Sequence, residues 1–151
     1  MCLVDYLKKI DNGLIIEKPK MFLPWTLRKK DLISKINGIR ILNENYYTLK
    51  VSLSGISFIN CMGLHFENER LSDIDLFNNE KIRIESEISN IFNAHQLILE
   101  DFFGIPNRNK LLDFFKGYNK EYIWKFKYVT ITHRLWDRFG MEEVLKIRIN
   151  S

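Results

Sequence analysis

Three histidines, His65, His95 and His133, and two cysteines, Cys2 and Cys61, are the side chains of this chain best suited to move protons, attack carbon or hold a metal. Their spacing matches no H-E-x-x-H or Cys-x-x-Cys pattern. Cys61 and His65 would supply two ligands to a site that needs three or four, and Cys61 reads as a small core residue. His95 lies on an apolar helical stripe, where an imidazole is usually a core group satisfied by hydrogen bonds. His133, four residues before Asp137, offers a base and an orienter for hydrolytic chemistry. No Gly-x-Ser-x-Gly elbow accompanies the pair, and Asp137 with Arg138 reads better as turn chemistry. No catalytic residue is assigned.

Phosphate-loop patterns of the Gly-x-Gly-x-x-Gly or Walker kind are absent, and no cofactor is implied. Four carboxylates, Glu67, Glu69, Asp73 and Asp75, gather around one predicted β-turn, Asp73 and Asp75 on one face of a strand. They describe either a solvated, charge-protected edge or a surface for a basic partner. Lys125 and Lys127 alternate with Tyr122, Trp124, Phe126 and Tyr128. A single-stranded nucleic-acid platform needs rings and cations on one surface, whereas strict alternation sends them to opposite faces. Nucleic acid is therefore the weaker partner class. Trp136 and Arg138 are further recognition candidates, because Trp and Arg are enriched among binding hot spots.

These groups must be positioned by an α+β framework. Cys2 to Ile10 has helical spacing, Leu14 to Glu17 reads as a short strand, and Pro19 to Pro24 reads as extended. Thr26 is a plausible N-cap for a helix from Leu27 to Ile36 with Leu27, Leu32, Ile33 and Ile36 inward. Ile39 to Leu42 and Tyr46 to Leu53 predict a hairpin, followed by strands over Ser57 to Glu67 and Ser72 to Phe77. Turns this short make an antiparallel meander. The strongest helix runs from Ile84 to Phe103 and stops at Gly104 and Pro106. A short helix from Lys110 to Lys116 and a final hairpin, Tyr122 to His133 with Val144 to Ile149, complete the expected elements, and the hairpin should join the earlier sheet. The expected fold is one domain over residues 1–151: an antiparallel sheet against one long helix and two or three short ones.

Composition fits that frame. With 151 residues, 46% apolar and 28% charged, the chain can bury a core without disulfides or metal. Asp5, Lys8 and Lys9 interrupt the first apolar pattern, so no signal peptide is expected, and no stretch approaches a membrane span. The cytoplasm is the expected location. A net charge of +4 is too small to imply nucleic acid or acidic membrane.

The order of elements resembles that of small bacterial immunity proteins, which neutralise a toxin domain made by the same cell. The residues that carry the resemblance are Pro24-Trp25-Thr26 opening a short helix, the meander, and a long helix ending in Phe103-Gly104-Ile105-Pro106. The Smi1/Knr4-like immunity signature is absent, which leaves the toxin class open. The resemblance implies stoichiometric binding without turnover, with Glu67, Glu69, Asp73, Asp75, Trp136 and Arg138 as the expected contact residues for a cognate toxin domain.

Overall fold

Ten strands and two helices are formed within residues 10–80, 87–111, 120–137 and 141–150, the parts of the chain that the computed structural model describes. Strands β1 (Gly13–Ile16) and β2 (Met21–Pro24) make a small antiparallel hairpin. The extended run through Pro19 and Pro24 thus acquires a partner that proline content alone does not reveal. Helix α1 spans Lys29–Lys35, shorter than the predicted Leu27 to Ile36, and its N-cap is Arg28 rather than Thr26. Leu27 and Arg28 stay extended because they pair with the chain near Arg70: Leu71 N–H donates to the Leu27 carbonyl and Lys29 N–H to the Glu69 carbonyl. Leu27 and Leu32 are buried as expected, whereas Ile33 is 54% exposed.

The remaining strands form one sheet: β3 (Arg40–Asn43), β4 (Tyr46–Lys50), β5 (Cys61–Glu67), β6 (Arg70–Phe77), β7 (Arg108–Leu111), β8 (Lys120–Lys125), β9 (Val129–Asp137) and β10 (Met141–Ile149). Their order is β3-β4-β5-β6-β10-β9-β8-β7, and all neighbours are antiparallel. The expected meander is β3 to β6, and the C-terminal hairpin joins it where β10 pairs with β6. Two expectations are corrected. Lys110 and Leu111, the start of the expected helix from Lys110 to Lys116, belong instead to the edge strand β7, because pairing with β8 outweighs a weak local preference. Tyr122 to His133 is not one strand but two, folded at Phe126 to Tyr128, where Phe126 N–H donates to the Val129 carbonyl. That turn contains no Gly, Pro, Asn or Asp to announce it.

Helix α2 (Ile88–Phe103) lies on one face of the sheet and buries Ile88, Phe92, Gln96, Leu99 and Phe103. The fold is α+β, but with two helices among the described residues rather than one long helix and several short ones. The expected helix at Cys2 to Ile10, the first turn of the helix expected from Ile84, and most of the one at Lys110 to Lys116 lie outside the described residues. Gly104 ends α2 at φ +87, where a side chain would be strained, and its carbonyl accepts from Trp124 Nε1 at 2.8 Å. The inward face of the sheet carries Leu64, Ile74, Ile147, Ile131 and Trp124 in one large cluster with β1, β2 and α1, while Ile88, Phe92 and Leu135 form a smaller one. Among the described residues, no helix is long and apolar enough to cross a membrane.

Candidate functional site

Between the two apolar clusters runs a polar layer. On β9, His133 sits between inward-facing Ile131 of the large cluster and Leu135 of the small one; on α2, Gln96 sits between Phe92 and Leu99. His133 Nε2 meets Glu143 Oε1 of β10 at 2.8 Å, and His95 Nδ1 meets the same oxygen at 2.7 Å. His133 Nδ1 faces Gln96 Oε1 at 2.7 Å, and Gln96 Nε2 donates to Glu100 Oε1 at 3.0 Å. Each imidazole stacks on one phenyl ring, His95 on Phe58 at 3.8 Å and His133 on Phe92 at 4.0 Å.

The electrostatics follow from this geometry. Burial pushes the Glu143 carboxyl up, but hydrogen bonds from His133 and His95 outweigh it and hold it at about 2. Burial dominates at His133 and pushes the imidazole below its ordinary value, partly offset by Glu143. A neutral His133 donates through Nε2 to Glu143 and accepts at Nδ1, which the Gln96 amide serves when its nitrogen faces the ring. The amide oxygen that faces Nδ1 in the structure serves a protonated His133 and leaves Gln96 Nε2 to donate to Glu100; turning the amide over would serve the neutral ring but set its oxygen against the Glu100 carboxylate. Among the described residues His133 is closed off: it is 0% exposed, and the adjoining cavity beside Phe58, Leu76 and Glu143 holds about 20 Å³, room for one water, whereas the His95 side chain keeps 15% of its surface exposed.

The opposite face of the sheet carries polar side chains. Asp75 accepts from His65 Nε2 at 2.6 Å and pairs with Lys146 at 3.8 Å; Asp73 accepts from Arg148 Nε at 3.1 Å. His65 stacks under Tyr46 at 4.2 Å, and the Tyr46 ring covers Gly63 so closely that a Cβ there would collide with it. Further along, Arg134 Nε donates to Glu121 Oε2 at 2.6 Å while its guanidinium lies 4.8 Å from the centre of the Trp136 ring.

A cleft of about 950 Å³ opens at the end of the sheet where the β5–β6 turn approaches the β1–β2 hairpin. Trp25, Arg28, Glu67, Arg70, Tyr128 and Asn150 line it, with Asp11 and Asn12. The turn is tight, with Asn68 at φ 51 and Glu69 at φ 65, both left-handed as a two-residue hairpin requires.

The structure brings Asp73, Asp75 and Trp136 onto one sheet face and sends Glu67 to the cleft. Glu69 pairs with Lys29 at 3.7 Å. Arg138 lies outside the described residues. The suggested His133 and Asp137 pair is not formed: four residues along one strand separate their Cα atoms by about 13 Å, and His133 is taken by Glu143 and Gln96. The same spacing keeps Cys61 from His65, and burial raises the Cys61 thiol, leaving it unreactive. Tyr122, Trp124 and Phe126 turn inward while Lys125 and Lys127 are exposed, so alternation separates these rings from the cations; Tyr128 departs from the pattern, 43% exposed with Lys127 Nζ 5.0 Å from the centre of its ring. Glu143 and Gln96 were not singled out by sequence reasoning. Glu143 has the parity of Leu145 and Ile147, and Gln96 falls four residues after Phe92, so each is a polar residue in an apolar register. Arg28 and Arg70 carry no local signal, because only the tertiary pairing of two distant segments opposes them.

No family model matches this chain, and no curated protein matches it. Among solved structures it is similar to the DUF4309 family protein YjgB from Bacillus subtilis, at 11% identity and a TM-score of 0.43 over 98% of this chain and 95% of that one.

Proposed function

We propose that this protein acts by stoichiometric recognition, as a cytoplasmic immunity protein that binds and neutralises a cognate bacterial toxin domain. Its contact surface is then the outward sheet face that carries Asp73, Asp75 and Trp136. The observation that carries this reading is the pre-ordered array on that face: Asp73 with Arg148, Asp75 with His65 and Lys146, and Arg134 clamped between Glu121 and Trp136. Side chains already held in place lose little entropy on association, and a Trp covered by Arg is a favoured anchor. Because the carboxylates are matched by cations from β10, the face presents both signs of charge and suits a partner of mixed charge better than a purely basic one.

The test is co-expression with the C-terminal domain of a large exported protein encoded beside this gene. A 1:1 complex by light scattering, together with restored growth, is the expected result. Absence of both complex and protection overturns the reading. Within a complex, Trp136→Ala should weaken affinity by about tenfold or more, the weight of one buried hot-spot residue.

A further inference from the structure

We infer that the cleft bounded by Arg28 and Arg70 is a binding site for a small oxyanion, a carboxylate or phosphate carried on a planar group, independent of the toxin-binding reading. Arg28 and Arg70 oppose each other across an isolated antiparallel bridge. The hydrogen bonds flanking them, Lys29 N–H to the Glu69 carbonyl and Leu71 N–H to the Leu27 carbonyl, both at 3.1 Å, make this the non-hydrogen-bonded kind of pair. That is the arrangement in which facing side chains come closest, with Cα atoms about 4.5 Å apart.

Like charges directly opposite one another destabilise a strand pair. Neither guanidinium makes an ion pair among the described residues: the nearest carboxylate of the turn, Glu69, is occupied by Lys29, and Glu67, although opposite Arg70 in register, lies beyond ion-pair distance. Both line the 950 Å³ cleft. Two exposed guanidiniums whose backbones are paired side by side, each with donors to spare, are suited to fork one oxyanion between them.

The rest of the wall defines the ligand's other end. Tyr128, 43% exposed, has Lys127 Nζ 5.0 Å from its ring centre on one face and leaves the other face for a planar group to lie against, and Asn12, Thr26 and Ser72 supply neutral polar groups. Asp11 and Glu67 line the same cleft and repel a ligand that is anionic throughout, so the favoured molecule carries one oxyanion and hydrogen-bond donors elsewhere. Backbone hydrogen bonds of Lys29 and Leu71 hold the turn against the start of α1, which fixes the spacing of the two arginine backbones before any ligand arrives.

Two-dimensional NMR of the whole chain, observing the Arg Nε–H signals, tests this with phenyl phosphate and benzoate as probes and with inorganic phosphate and chloride as controls. Saturable shifts of Arg28 and Arg70 by an aromatic probe are expected, with at least about tenfold weaker binding in Arg28→Gln and in Arg70→Gln, the weight of one charge-assisted hydrogen bond. Lys125→Gln, outside the cleft, should leave binding unchanged. Preference for phenyl phosphate over benzoate identifies a phosphate site, and the reverse a carboxylate site. No saturable shift with either probe at about 10 mM, equal shifts with chloride, or undiminished binding in both arginine variants overturns the proposal. A toxin complex that forms normally with Arg70→Gln leaves the oxyanion site standing on its own measurement.

Discussion

The polar layer between α2 and the sheet and the Arg-lined cleft at the sheet's end are built from the same kinds of charged and polar side chains and treat them in opposite ways. Inside, each charge-capable group has a hydrogen-bond partner: Glu143 accepts from two histidines, and Gln96 bridges His133 to Glu100. At the cleft, two arginines are forced together with no carboxylate answering either among the described residues. The contrast teaches that a reactive residue type need not mark an accessible surface: His95 and His133 are taken up by the fold, and unanswered charge is left at the open cleft.

The largest way to break that comparison is at Glu143. Glu143→Ala leaves the buried His133 and the part-buried His95 without their shared acceptor and should cost about 3–5 kcal/mol, as for other broken buried ionic networks, readable by urea unfolding. Gln96→Leu removes the partner of His133 Nδ1 and should cost about 1–3 kcal/mol by the same measurement. Loss of less than half that value in either variant would mean that the layer is not structural.

Acid should expose the same layer without mutation. The folded Glu143 carboxyl, held at about 2, contributes stability that is present above its unfolded value and is lost as pH falls from about 4.5 toward 2. His133, depressed by burial, acts in the same direction and earlier: below its unfolded value of about 6.5 the unfolded chain binds the proton more readily, so stability begins to fall there. Melting temperatures between pH 8 and pH 3 should therefore decline in two stages, and Glu143→Gln should flatten the lower one.

The cleft predicts the smallest change. Arg70→Gln relieves the opposition to Arg28 and should leave the free protein unchanged or more stable by about 0.2–1 kcal/mol. A clear destabilisation would make the arginine pair a structural strut instead.

How much of this was legible in the sequence follows the range of the interactions involved. The meander, the long helix and the inward ring positions Tyr122, Trp124 and Phe126 came from local periodicity, which the sheet preserved. Strand β7 and the break between β8 and β9 did not, because pairing partners decided them against weak local signals. Asp73 and Asp75 were correctly placed on one face, yet their cations, Arg148 and Lys146, come from a strand about seventy residues away in sequence. His95 was read as a satisfied core imidazole and is hydrogen-bonded to Glu143 on a ring stack. His133 was offered Asp137 because the two are close in sequence, whereas its real partners, Gln96 and Glu143, are close only after folding.

The central claim is that recognition and the buried histidine layer are separate functions of separate residues. Its most direct test is the affinity of the toxin domain for Trp136→Ala and Glu143→Gln measured side by side by calorimetry, each with its own melting curve. The account predicts that Trp136→Ala loses about tenfold or more in affinity with little change in melting, whereas Glu143→Gln melts lower and binds normally once folded. A folded Glu143→Gln that fails to bind, beside a Trp136→Ala that binds as well as the unaltered chain, would contradict it.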